Sequence, residues 1–197
     1  MNATLMNTNR FPPELLLKAQ AIKVVFFDID GVMTDGGLLF TESGETIKRF
    51  NTLDGFGIKL LQKAGITPVV ISGRDSLPLR ARLKALGITH IHLNTEDKHP
   101  AAEKTLTALG LTWQQAGCMG DDWPDLPVLQ VSAFACAPLD AHFEVKAISH
   151  YTTQLPAGSG AVREFCDLLL TACGQYGKQL AEFQAPVTKA ICKATAT

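Results

Sequence analysis

Four consecutive apolar residues, Val24-Val25-Phe26-Phe27, run straight into Asp28-Ile29-Asp30-Gly31, and no other stretch constrains the fold as strongly. A strand that is apolar at every position must be covered on both faces, as in a parallel sheet held between helix layers. The chain repeats the theme. Buried strands are expected at Thr67 to Ile71, Ile88 to Leu93, Gln115 to Met119 and Ala133 to Cys136. Helical patterns over Gly55 to Ala64, Leu77 to Leu86, Pro100 to Leu109 and Leu126 to Gln130 alternate with them, and Ala161 to Ala172 forms a last helix. Gly65, Gly87 and Gly110 supply three of the stops.

This rhythm predicts an α/β fold with a mainly parallel sheet and helices on both faces, a Rossmann-like three-layer sandwich. Right-handed crossovers then place every strand C-terminus on one edge, where open sheets of this kind bind ligands. Leu38 to Phe50 reads as a small β-hairpin inserted after the first strand, with its turn at Glu42-Ser43-Gly44-Glu45. The domains expected are an N-terminal extension with a short helix (1–20), a catalytic domain (21–174) and a C-terminal tail (175–197). The tail shows little periodicity and is expected to be loosely ordered unless a partner holds it.

A chain of 197 residues suffices for one well-buried domain, and 46% hydrophobic with 19% charged residues fits an ordinary globular protein. The net charge of −1 gives no support for a nucleic-acid or membrane partner, so any ligand has to be argued from local clusters. The five cysteines show no metal-ligand spacing, and the Asn- and Thr-rich N-terminus lacks the apolar core of a signal peptide; a cytoplasmic location is expected.

The acids fall where such a sheet binds its ligands. Asp28 and Asp30 follow one strand, Asp121 and Asp122 another, with Asp125 one turn further on. Singly, each reads as well as a helix cap or a turn former. As a set they are costly, because gathering carboxylates in a crevice adds repulsion to desolvation. A divalent cation removes that cost, and oxygen ligands without histidine or cysteine point to Mg²⁺. Ser72-Gly73-Arg74 stands at another strand end, where a hydroxyl and free N–H groups suit phosphate oxygens. Lys98 opens a helix, a position its charge disfavours, which hints at a specific anionic contact.

Asp28-Ile29-Asp30-Gly31-Val32-Met33-Thr34-Asp35-Gly36, Ser72, Lys98 and Gly120-Asp121-Asp122 with Asp125 stand in the order of the four motifs of the haloacid dehalogenase-like phosphatases. With Asn51 to Ile58 and Gly158 to Glu164, the chain resembles a capless subfamily of these enzymes over about residues 20 to 175. The resemblance implies that Asp28 is the nucleophile that carries an aspartyl-phosphate, and Asp30 the general acid and then base. It implies a Mg²⁺ site of Asp28, Asp121 and the Asp30 backbone carbonyl, with Asp122 and Asp125 supporting it. Ser72 and Lys98 would hold the phosphoryl group, and Thr34, Arg74 and Arg82 would contact the substrate.

The same resemblance implies hydrolysis of an eight-carbon keto-acid sugar phosphate in lipopolysaccharide biosynthesis. A nine-carbon sugar phosphate of the sialic-acid type stays open as substrate, and so does a non-catalytic phospho-ligand module of the receiver kind. Relatives often carry an arginine where this chain has Ser159, which bears on substrate identity. Too few residues separate the motifs for a cap domain, and the resemblance to the capless subfamily implies a homotetramer in which a neighbour closes the pocket. The hairpin is the candidate contact, and the tail a candidate visitor to a neighbouring site.

Overall fold

The computed structural model describes residues 10–42 and 44–194. Helix α1 (Pro13–Ala19) opens on prolines and leads into β1 (Val24–Phe27), whose four side chains are all buried. The hairpin β2 (Leu39–Thr41) and β3 (Gly44–Ile47) follows, and then α2 (Thr52–Lys63), β4 (Thr67–Ile71) and α3 (Leu77–Leu86). Next come β5 (His90–His92), α4 (Lys98–Leu109), β6 (Ala116–Met119), the short α5 (Leu126–Leu129) and β7 (Phe134–Ala137). The order closes with α6 (Phe143–Ile148), β8 (Tyr151–Thr152), α7 (Ala161–Ala172) and α8 (Tyr176–Ala194).

The six-stranded sheet has the order β5-β4-β1-β6-β7-β8 with every neighbouring pair parallel, so all strand C-termini share one edge. β1 lies inside, with Phe27 in register with Val70 of β4 and Met119 of β6. Its alternate residues serve opposite layers. Val25 and Phe27 pack with Ile58, Leu61, Phe165 and Leu169 of α2 and α7, while Val24 and Phe26 pack with Ala102, Leu106 and Val128 of α4 and α5.

The two other stretches that carry the family resemblance meet where α2 starts beside α7. Asp54 accepts the Arg163 backbone N–H at 2.9 Å, and the Asn51 side chain caps α2 by accepting the Leu53 N–H at 2.8 Å. A Cβ on Gly57 would lie 3.0 Å from the Arg163 side chain and 3.1 Å from Cys166, so glycine lets the two helices approach closely. Glu164, buried in α7, accepts from the Tyr151 hydroxyl and from the Gln154 and Leu155 N–H groups, which ties the edge strand to the helix layer.

Two local findings depart from expectation. The tail, expected to be loose, forms α8, because Gln179 donates to the Leu60 carbonyl at 3.1 Å and Phe183 meets Phe56 edge-on with centroids 5.6 Å apart. α6 and β8 lay in a stretch whose short apolar runs carry no clear period. The hairpin is present, and Leu39, Phe40 and Ile47 on it are more than half exposed; Ser43 at its turn lies outside the described residues.

Candidate active site

The shared edge of the sheet brings the separated acids together. Asp28 leaves β1 with its N–H bound to the Met119 carbonyl of β6 at 3.1 Å. The chain then folds back sharply: the N–H groups of Val32, Met33 and Thr34 all point at the Ile29 carbonyl, at 2.9 to 3.2 Å. That turn passes through Gly31 at φ +90°, where a Cβ would lie 2.1 Å from a carboxylate oxygen of Asp121. Only glycine permits this approach of the first motif loop to the fourth.

Asp125 ties the parts together. One of its oxygens accepts Lys98 Nζ at 2.6 Å, and the other accepts the Asp121 and Asp122 N–H groups at 3.0 and 3.4 Å. Asp122 caps the short turn Trp123–Asp125 by accepting the Trp123 N–H at 2.8 Å. Lys98 reaches back from the first turn of α4 and also donates to Asp28 Oδ1 at 2.6 Å, which explains a buried lysine where the helix dipole disfavours one.

Carboxylate oxygens of Asp28, Asp121 and Asp125 all lie within 4.8 Å of one another. Burial, followed by the neighbouring Asp125, pushes the Asp28 carboxyl up to about 7, although Lys98 pulls it down. Burial, with Asp28 and Asp125, pushes Asp121 up to about 8. Burial works against the charge of Lys98, but Asp28 and Asp125 outweigh it and its pKa is raised. One lysine therefore offsets only part of the gathered negative charge. Hard oxygen donors, mutual repulsion and an entry from solvent fit a divalent cation between Asp28 and Asp121, and Mg²⁺ matches that donor set.

Asp28, Asp30, Ser72, Arg74, Lys98 and Asp121 line one cleft of about 440 Å³, with Asp122, Asp125 and Glu96 contributing. Ser72 is buried at the end of β4, its N–H on the His92 carbonyl and its hydroxyl accepting the Arg74 N–H at 3.2 Å. Arg74 is half-exposed with Nε 3.9 Å from Asp30 Oδ2. Two residues expected at the substrate do not line this cleft. Thr34 is buried and points its hydroxyl at the Ile29 carbonyl and Asp30 Oδ1, at 3.4 and 3.5 Å. Arg82 donates to the Asn51 carbonyl at 2.8 Å and covers the Phe50 ring, away from the cleft.

The sequence reading missed Lys48, which comes off β3 and forms an ion pair with Asp30 Oδ1. Nothing in its local pattern marks it, since a lysine at a hairpin end is ordinarily solvated. It also missed Glu96. Ser159 follows Gly158, a glycine that presses on the backbone of Thr34 and Asp35: a Cβ there would lie 2.6 Å from both.

No protein-family model matches the chain. The chain is 38% identical over 159 residues to the 3-deoxy-D-manno-octulosonate 8-phosphate phosphatase of Yersinia pestis, covering 81% of this chain and 85% of that one. It is 40% identical over 158 residues to the phosphatase of the same name from Haemophilus influenzae, covering 80% and 88%. The crystal structure of the enzyme of that name from Moraxella catarrhalis, in complex with a magnesium ion, a phosphate ion and a KDO molecule, superposes with a TM-score of 0.85 at 34% identity, covering 88% and 100%. The gathered strand-end acids, the fold and these likenesses agree, and the chain belongs to the 3-deoxy-D-manno-octulosonate 8-phosphate phosphatase family of haloacid dehalogenase-like hydrolases.

Proposed function

We propose that this protein is a Mg²⁺-dependent phosphomonoesterase that hydrolyses 3-deoxy-D-manno-octulosonate 8-phosphate in lipopolysaccharide biosynthesis, in the cytoplasm. The observation that carries the reading is the pairing of Asp28 with Lys98 at 2.6 Å in the cleft that Asp30, Ser72 and Asp121 also line. Asp28, Asp121 and the Asp30 carbonyl would hold the cation, which would supply positive charge to offset the repulsion between a phosphate and these carboxylates.

The chain's own groups do the rest. The Asp28 carboxylate attacks phosphorus, and the bond from phosphorus to the sugar oxygen breaks as Asp30 delivers a proton to that oxygen. Water then attacks the aspartyl-phosphate and gives its proton to Asp30, and inorganic phosphate leaves with Asp28 restored. Ser72 and Lys98 hold the phosphoryl oxygens through both steps. Asp122 and Asp125 hold the metal-side loop and Lys98 in place. Arg74, half-exposed at the cleft, suits the carboxylate of a keto-acid sugar.

The cleft is open, and Leu39, Phe40 and Ile47 stand exposed on the nearby hairpin, so a homotetramer in which a neighbour covers the pocket is part of the reading. The test is phosphate release from the eight-carbon and nine-carbon keto-acid sugar phosphates, with and without Mg²⁺, on protein of measured solution mass. Clear preference for the eight-carbon substrate, lost without Mg²⁺ and in Asp28→Asn, is expected. Equal rates on both sugars would sink the substrate assignment, and normal turnover by Asp28→Asn would sink the mechanism.

A further inference from the structure

The two oxygens of Asp30 have unequal surroundings. Oδ1 is engaged by the Lys48 ammonium and lies 3.5 Å from the Thr34 hydroxyl. Oδ2 is buried with no hydrogen-bond partner, and Arg74 Nε at 3.9 Å is beyond hydrogen-bond reach. A buried carboxylate oxygen without a hydrogen bond is costly unless something is meant to meet it. Asp30 lines the cleft with Asp28, and the Lys48 side chain is only 1% exposed although it comes from a solvent-facing hairpin.

We infer that Lys48 is a positioning residue for the known reaction type: by fixing Oδ1 it leaves Oδ2 as the atom that passes the proton to and from the reacting oxygens. The inference rests on Asp30 being the acid and base of the proposed function. A carboxylate on a short side chain rotates readily about its terminal torsion, and one firm donor on one oxygen selects which oxygen faces the leaving group. Thr34 adds a weaker hold on the same oxygen. This also gives the hairpin a part in catalysis, since Lys48 directly follows β3 and any disturbance of the hairpin moves the group that holds Asp30.

The test compares Lys48→Met and Lys48→Arg on two substrates, the sugar phosphate and p-nitrophenyl phosphate, whose nitrophenolate leaves without needing a proton. In single-turnover formation of the aspartyl-phosphate, Lys48→Met is expected to slow the sugar phosphate on the order of tenfold to a hundredfold, a share of the full effect of a positioned acid. The aryl phosphate should slow by less than about threefold, and Lys48→Arg should recover most of the sugar-phosphate rate, because it keeps a charged donor. KM and the Mg²⁺ midpoint should stay within about twofold of the parent.

Equal slowing on both substrates, or a matching loss of Mg²⁺ affinity, would make Lys48 a merely structural residue and overturn the inference. So would an unchanged rate in Lys48→Met. Asp30→Asn run alongside separates the two levels: if it turns over sugar phosphate normally, the acid/base reading itself falls. If it is inactive while Lys48→Met is normal, only the role of Lys48 falls.

Discussion

Mg²⁺ binding to this protein should release protons, and its affinity should climb steeply with pH. A cation bound by Asp28 and Asp121 has to displace whatever protons they carry. With Asp28 pushed up to about 7 and Asp121 to about 8, both are largely protonated in the metal-free protein under mildly acidic conditions. Treating them as separate groups, competition weakens the metal about 1,000-fold at about pH 6 and only about twofold at about pH 8. The difference is a few hundredfold, or about 3–4 kcal/mol at about 1.4 kcal/mol per pKa unit. Calorimetric titration of metal-free protein with Mg²⁺, in buffers of differing ionisation heat, reads both quantities. Nearly two protons should leave per ion at about pH 6, and fewer than one at about pH 8. An affinity that is flat over that range would refute the account, since it would mean the carboxylates are ionised before the metal arrives.

The same raised carboxyls make a stability prediction. Between the unfolded value of 3.8 and the folded values of about 7 and 8, the folded chain binds more protons than the unfolded one. Their contribution is therefore lost as pH rises through that window, so the metal-free melting temperature should fall from pH 5 to pH 8, and Mg²⁺ should restore it most at the upper end. Lys98→Met leaves Asp28 and Asp125 facing each other and should cost about 3 kcal/mol in urea unfolding at pH 8, and less at pH 5 where Asp28 holds a proton. Gly31→Ala puts a methyl 2.1 Å from Asp121 at φ +90°, so the Mg²⁺ midpoint should rise more than about tenfold while circular dichroism keeps its native shape. Leu169→Ala, fully buried in α7, should lower stability by about 2–5 kcal/mol and leave Mg²⁺ affinity unchanged.

The sheet was legible because its strands are buried on both faces and so appear as unbroken apolar runs, and Val24 to Phe27 and Thr67 to Ile71 stand where the runs place them. The grouping of Asp28, Asp121 and Lys98 followed from parallel strands ending on one edge. What stayed hidden depends on contacts across the chain. Lys48 and Asp30 are 18 positions apart on different elements, and neither the hairpin pattern nor the charge of Lys48 says that the side chain turns inward. Arg82 is placed at the substrate by the resemblance alone, its helix position suiting a structural role equally well, and within one chain its guanidinium meets the ring of Phe50 and the Asn51 carbonyl. α8 escaped because, among the described residues, what holds it are contacts to α2 far away in sequence, such as Gln179 to Leu60, Glu182 to Lys63 and Phe183 to Phe56.

Asp125 shows why a cluster of acids is not simply a set of equivalent metal ligands. Its position within reach of Asp28 and Asp121 makes it a candidate by distance, yet one oxygen serves Lys98 and the other two backbone N–H groups. Asp28 accepts Lys98 on Oδ1 with the Ile29 backbone N–H beside it, and the Asp121 side chain meets the Gly31 approach with its carboxylate edge. A cation replacing bonds already made gains less than one meeting raised, under-satisfied carboxylates. The competition therefore favours Asp28 and Asp121 as ligands and leaves Asp125 as the strut between Lys98 and the loop of Asp121 and Asp122. Gly120 fits that role, because a Cβ there would lie 2.3 Å from the Asp125 side chain. Glycines at 31 and 120 thus open the room in which one acid is spent on architecture so that two others remain available for chemistry.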